Sequence, residues 1–208
     1  MGYAKNKGYT FEVKIQDFFN LQKGWKSKRL APSSTSLPDV MVTYKNNLFA
    51  IEAKATSSFN REVPYDQLEN SSKFLELLPL YDKQYVGACW YFSRKGKDRN
   101  KKTIKRKIVI HTILWDNPTF LKLNSTYGKI INNLTCDYLG DIKFHFNFDP
   151  MRKRDQLMIE QENYMNQRVK TAYPYRYYET LDKLVSAIKF GDSLSPKIEN
   201  NTKQKKLY

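Results

Sequence analysis

Apolar and polar residues change period several times along this 208-residue chain, and each change marks an element. Phe11, Ile15, Phe18 and Phe19 recur at helical spacing, which predicts an amphipathic helix over residues 10–21, ended by Gly24. Residues 25–30 read as a short strand and residues 31–37 as a polar loop with turn chemistry. Val40, Val42 and Tyr44 alternate with Met41 and Thr43, which predicts a strand over residues 40–44. Asn46-Asn47 reads as a tight turn tolerant of positive φ, and residues 48–56 return as the second strand of a hairpin. On that strand Phe49, Ile51, Ala53 and Ala55 share one face, while Ala50, Glu52 and Lys54 share the other.

A helix is predicted over residues 66–80, with Leu68, Leu75 and Leu78 on a stripe flanked by Phe74 and Leu77. Residues 85–92 and 107–115 read as strands, so the first half has the order αβββαββ, a mixed α/β fold. The pattern weakens beyond Pro118. Ile142, Phe144, Phe146 and Phe148 alternate with polar residues as in a half-buried strand, and residues 152–170 read as a charged helix. Thr180 is placed to cap a helix whose buried face is Leu181, Leu184, Val185 and Ile188. The expected organisation is an α/β core over 1–116, a C-terminal α+β extension of unassigned role over 117–191, and a disordered polar tail over 192–208.

Composition narrows the classes. With 40% apolar residues the chain can bury a real core. No stretch approaches the roughly 18 consecutive apolar residues of a membrane helix, and no secretory signal is visible, so an intracellular protein with no membrane partner is expected. Cys89, Cys136, His111 and His145 are too few for a disulfide framework or a zinc site. His111 reads as a packed or edge histidine and His145 as an exposed one. The net charge of +15 attracts polyanions, which supports DNA or RNA binding without proving it. Residues 94–107 hold nine Lys or Arg against one Asp and read as a solvated basic loop between two strands, suited to contact phosphates. Tyr173, Tyr175, Tyr177 and Tyr178, with Pro174 and Arg176 among them, suit packing against the fold or stacking on bases.

Candidate chemistry lies in Pro38-Asp39 and Glu52-Ala53-Lys54. Glu52 and Lys54 project from one face of their strand, and Asp39 opens the partner strand, so the hairpin sets two carboxylates side by side. Their repulsion is relieved by Mg²⁺, which keeps several waters. Such an ion polarises a phosphoryl oxygen and acidifies water. Lys54 is placed to stabilise charge developing on a phosphate. Glu12, beside the apolar stripe of the first helix, is a third carboxylate within reach of the same centre. The plain alternative is a salt-bridge cluster on an exposed sheet face, with Glu12 a solvated helix residue.

These motifs together resemble the PD-(D/E)xK nuclease superfamily, and within it the archaeal-type Holliday junction resolvases. The matching residues are Lys7-Gly8-Tyr9-Thr10-Phe11-Glu12, the Ser33 to Ser36 loop, Pro38-Asp39-Val40, Ile51-Glu52-Ala53-Lys54 and Tyr65-Asp66-Gln67-Leu68. The resemblance spans roughly residues 5–92. It implies a restriction-endonuclease-like mixed sheet flanked by helices, with residues 1–116 as the nuclease core. It also implies dependence on Mg²⁺ (with Mn²⁺ able to substitute) and a homodimer that cuts two strands of branched DNA, placed in the cytoplasm or on the nucleoid. It implies Glu12, Asp39 and Glu52 as metal-site carboxylates and Lys54 as the catalytic lysine. A loop serine, Ser34 or Ser36, and the helix residue Gln67 would complete the site. In such a nuclease the candidate nucleic-acid contacts are Lys5, Lys7, Lys28, Arg29, Arg94, Lys95, Lys97, Lys101 and Lys102. The basic run and everything after Pro118 have no counterpart in that resemblance. A restriction-type, repair or RNA-cleaving nuclease on the same fold remains an alternative. So does a non-catalytic nucleic-acid-binding protein, although all four charged site residues are present.

Overall fold

The continuous apolar run Leu48-Phe49-Ala50-Ile51 lies in a strand that is buried on both faces, and the fold is arranged around it. The computed structural model describes residues 3–30, 37–97, 103–147 and 156–190. Their order is α1 (Tyr3–Asn20), β1 (Trp25–Arg29), β2 (Val40–Tyr44), β3 (Asn47–Thr56), β4 (Asn60–Pro64), α2 (Tyr65–Glu76), β5 (Lys83–Lys97) and β6 (Thr103–Asp116). There follow α3 (Asn117–Tyr127), β7 (Ile131–Asp137), β8 (Ile142–Phe146), α4 (Gln156–Ala172), β9 (Arg176–Tyr178) and α5 (Leu181–Phe190). A six-stranded sheet runs β1-β2-β3-β5-β6-β9, and a three-stranded sheet runs β4-β7-β8. β3 and β5 pair in parallel; every other described pairing is antiparallel. The architecture is a mixed α/β sheet flanked by helices, as the alternation of elements predicts.

Each face of the large sheet has its own apolar layer. On one side Phe11, Ile15 and Phe19 of α1 pack with Val42, Phe49 and Ile51, joined by Leu181, Leu184 and Val185 of α5. On the other side Ala50, Val86, Ala88, Trp90 and Trp115 meet Leu68 and Leu75 of α2, Phe120 of α3, and Leu134 and Phe144 of the small sheet. Gly87 is required where β5 passes β6, because a Cβ there would stand 2.1 Å from the Ile113 carbonyl oxygen.

Several expectations need correction. The hairpin turn is Lys45-Asn46, not Asn46-Asn47: Lys45 takes the positive φ of 51°, and Asn47 already pairs with Tyr44. α1 stops at Asn20, and Gly24, at φ 84°, belongs to the turn that enters β1. The basic run is not a loop throughout. β5 and β6 continue through it, pairing Arg94 with Lys107, Lys95 with Arg106 and Lys97 with Thr103, while residues 98–102 lie outside the described set. β3 last pairs with β5 at Phe92, and β9 first meets β6 at Thr112, so the outer part of this hairpin is a two-stranded ribbon. Lys and Arg conceal these strands because their alternation carries no apolar signal.

β4, α3, β7 and β9 were also not expected. β4 buries only Val63 fully, so it offers no alternation to read. β7 carries a register shift between Ile131 and Asn133, which spaces its buried residues Ile131, Leu134 and Cys136 unevenly. Residues beyond Pro118 build into both sheets: β7 pairs with β4, and β9 pairs with β6. The predicted polar tail, residues 192–208, lies outside the described residues.

Candidate active site

The geometry starts from the β2–β3 hairpin. Its register sets Tyr44 against Asn47 and Val40 against Ile51, so one further step places Asp39 across from Glu52. Two contacts hold Asp39 in place. Its Oδ2 accepts a hydrogen bond from the Ala53 N–H (2.8 Å), and its carbonyl oxygen accepts one from the Leu30 N–H (3.1 Å). Glu52 shares the face of Ala50, turned towards α2, and is only 3% exposed. There the Ser71 hydroxyl donates to Glu52 Oε1 at 2.8 Å. Lys54, two residues along on the same face, sets its ammonium 3.5 Å from Asp39 Oδ2 and 3.6 Å from Glu52 Oε2.

This cluster has two carboxylates and one ammonium; Glu52 is buried, while Asp39 and Lys54 remain partly exposed. Burial above all, and then the neighbouring Asp39 carboxylate, push the Glu52 pKa up to about 8; Lys54 and the Ser71 hydrogen bond pull it the other way. A bare Glu52 therefore holds a proton near neutral pH unless a further positive charge arrives. Gln67 lies four residues before Ser71 on α2, hence on the same helix face, and its Oε1 is buried with no hydrogen-bond partner. A buried acceptor without a donor, on the helix face that brings Ser71 to Glu52, and a carboxylate pair short of positive charge together suit a hydrated cation. Among the described residues no group of three or more His, Cys, Asp or Glu gathers as a metal cluster, so the donor set is the pair Asp39 and Glu52. That pair fits Mg²⁺, which binds through one or two carboxylates and completes its shell with water and phosphate oxygens.

Glu12 stands apart from the pair. Its Oε2 lies 2.6 Å from Arg29 Nε, and both side chains are largely covered. The guanidinium stacks over the Tyr9 ring at 4.5 Å, and the Arg29 N–H donates to Gln16 Oε1 at 2.7 Å. Ser34 lies outside the described residues, as do Lys101 and Lys102. Lys28 is exposed on β1. Lys5 and Lys7 fall in α1, and Arg94, Lys95 and Lys97 fall in the outer part of β5.

The histidines are occupied structurally. His111 Nε2 lies 3.2 Å from the Tyr138 carbonyl oxygen, so it carries the proton, and Nδ1 accepts from the Tyr177 hydroxyl at 2.6 Å. Burial lowers the pKa of His111, in keeping with a neutral ring that ties β6, β9 and the β7–β8 turn together. His145 is only partly exposed, 2.9 Å from the Thr135 hydroxyl and 3.2 Å from Glu162. Tyr175 packs edge-on against Trp115, and Arg176 lies over Tyr85, so the tyrosine-rich segment is part of the packing.

Ser71 is a site residue that periodicity alone does not announce. A signal was present all the same. Leu68, Ser71 and Leu75 occupy one helical stripe, and a hydroxyl between two buried leucines needs a polar partner. Ser72 obeys the same rule by donating to Asn117 Oδ1 at 2.6 Å.

No protein-family model matches this chain, and no curated protein sequence matches it. Among solved structures it is similar to Archaeoglobus fulgidus Hjc, described as a Holliday junction resolvase from an archaeal hyperthermophile. The TM-score is 0.36 and the identity 14%, over 64% of this chain and 89% of that one.

Proposed function

We propose that this chain is a divalent-metal-dependent DNA endonuclease that hydrolyses phosphodiester bonds, acting on branched DNA of the four-way junction type. The observation that carries the hydrolase reading is the pairing of the half-buried Asp39 with the buried Glu52, bridged by a single lysine and lacking one positive charge. Asp39 and Glu52 would hold Mg²⁺, or Mn²⁺ in its place. When bound, the cation supplies Lewis-acid polarisation of a phosphoryl oxygen and a more acidic water. The Ala53 N–H and the Ser71 hydroxyl each hold one carboxylate oxygen, so both groups are positioned before substrate arrives. The Lys54 ammonium has three donors and touches both carboxylates, so it can turn one donor to the attacking water or to a phosphoryl oxygen as negative charge grows there. In the reaction a water oxygen bonds to phosphorus, the bond to the 3′ oxygen breaks in line with it, the attacking water's proton passes to solvent, and the departing 3′ oxygen takes up a proton from solvent to become a hydroxyl. Gln67 has an acceptor available for that water.

The excess of basic residues supplies affinity by neutralising phosphates and carries little sequence information. The β5–β6 ribbon, with Arg94, Lys95, Lys97 and the neighbouring Lys101 and Lys102, is the candidate arm, and Lys5, Lys7, Lys28 and Arg29 lie on α1 and β1. Preference for a four-way junction rests on the sequence resemblance. Paired cuts in such a substrate require two copies of the site, hence a homodimer on the DNA.

One experiment tests the reading. A labelled four-way junction and a linear duplex of the same arms are incubated with Mg²⁺, with EDTA, and with the Asp39→Ala protein. Paired nicks in the junction alone, lost with EDTA and with Asp39→Ala, are expected. Equal cutting of both substrates rejects junction selectivity and keeps the site. Binding without cleavage in Mg²⁺ or Mn²⁺ rejects the enzyme.

A further inference from the structure

We infer that Glu12 is a positioning residue for Arg29, and that Arg29 seats the phosphodiester next to the one cut. This rests on the nuclease reading above and takes Glu12 out of the metal's donor set.

The argument begins with the sheet. Arg29 pairs with Val40, and Val40 belongs to the apolar layer of α1, so Arg29 is directed towards α1. Asp39, one residue before Val40, is directed towards α2 with Glu52. The Leu30 N–H bonded to the Asp39 carbonyl keeps these two strand ends side by side. Arg29 and the carboxylate pair therefore flank the same end of the sheet from its two faces, one strand apart. A sugar–phosphate backbone crossing that end meets both.

The guanidinium is prepared for such a ligand. Glu12 takes its Nε–H, the Tyr9 ring lies under its plane, and Gln16 fixes its backbone. The two terminal amino groups keep their N–H donors, and among the described residues none of them has an acceptor. A fork held at one edge and stacked on one face presents its other edge to a planar, two-oxygen acceptor, which is how arginine recognises phosphate. The carboxylate of Glu12 is committed to this contact, at a distance typical of a charge-assisted bond.

The test separates metal binding from DNA binding. Mn²⁺ binding is measured by titration calorimetry on metal-free protein without DNA, for wild type, Asp39→Asn and Glu12→Gln. DNA affinity is measured by fluorescence anisotropy in EDTA across a salt series, for wild type, Glu12→Gln, Arg29→Gln and Arg29→Lys, each checked by thermal melting. Asp39→Asn is expected to lose Mn²⁺ binding, while Glu12→Gln stays within about twofold of wild type, because it touches no metal ligand. Arg29→Gln is expected to lower DNA affinity about tenfold and to reduce the salt slope by about one. Arg29→Lys should not restore that affinity, since an ammonium lacks the fork.

The decisive variant is Glu12→Gln. It removes a negative charge, so general electrostatics alone would tighten DNA binding; positioning of Arg29 requires it to weaken several-fold. DNA binding equal to or tighter than wild type overturns the proposal. Loss of Mn²⁺ binding comparable to Asp39→Asn also overturns it and makes Glu12 a ligand. Should Glu12→Gln fail to fold, Arg29→Lys decides: wild-type affinity in that variant overturns the proposal. If the wild-type protein binds neither Mn²⁺ nor DNA, the nuclease reading itself falls, an outcome distinct from the others.

Discussion

Two acidic clusters sit at the same end of the large sheet, and they are balanced differently. On the α1 side Glu12 meets one cation, Arg29, at 2.6 Å. On the α2 side Asp39 and Glu52 share one ammonium, Lys54, at 3.5 and 3.6 Å. The first cluster is neutral within itself and has donors left over. The second is short of one positive charge and has burial to make that shortage costly. The difference teaches which kind of ligand each cluster would take under the proposed function: an anion at the arginine, a cation at the carboxylates. Counting charges inside each cluster is more informative than counting carboxylates near the sheet end.

Removing a carboxylate of the unbalanced cluster should have the largest effect. Asp39→Asn is expected to lower Mg²⁺-dependent cleavage by more than about a hundredfold, beyond what loss of an outer-shell partner causes. Single-turnover cleavage measures it, and near-wild-type rates would show that the pair holds no metal. Supplying the cation comes next. Mn²⁺ at a hundred times its Kd should stabilise the wild-type fold by about 2.7 kcal/mol and leave Asp39→Asn unmoved, as read by thermal melting.

The dependence on pH sharpens the comparison further. In the metal-free protein the raised pKa of Glu52 stabilises the fold below its ordinary value of 4.5, and that contribution is lost as the pH climbs to about 8. Urea melts in EDTA should therefore show wild type losing stability relative to Glu52→Gln between those limits, with no further divergence above them. A constant difference across the range would mean the carboxyl is ionised throughout.

Ser71→Ala follows. It leaves Glu52 Oε1 without its donor, so Mn²⁺ affinity should fall about 10- to 100-fold, as for other partners that orient metal ligands. Unchanged affinity would reduce Ser71 to a packing residue. The smallest effect belongs to an ion pair outside both clusters. Lys73→Ala breaks an exposed pair with Glu69 and should change stability by about 0.5 kcal/mol or less, with cleavage unaltered.

Much of this arrangement was legible in the chain. Glu52 and Lys54 share a face because strands alternate, and Asp39 stands opposite because the hairpin turn is short. Leu181, Leu184 and Val185 form the buried face of α5 at the expected spacing, with the Lys183 N–H bonded to the Thr180 hydroxyl. What could not be read were interactions between distant segments. Arg29 shows no sign of Glu12 in sequence, since a helix and an edge strand must first pack together. The ribbon of β5 and β6 was hidden by its cations, and β7 by its register shift. α3 left a clue in Asp116, whose carboxylate accepts the Thr119 N–H, and in Pro118 at the start of the helix.

The last strand of the large sheet carries a consequence for biogenesis. β9 lies beside β6, and α5 closes the apolar layer that α1 opens. The candidate catalytic residues Asp39, Glu52, Lys54 and Gln67 precede residue 68, yet the sheet edge and the layer behind it stay incomplete until residues 176–190 are made. A chain growing on a ribosome must carry Phe49, Tyr85 and Leu114 without their final cover until residues 176–190 have emerged. Chains stalled before β9 should be targets for chaperones and proteases, so active protein would appear only once β9 and α5 have been made.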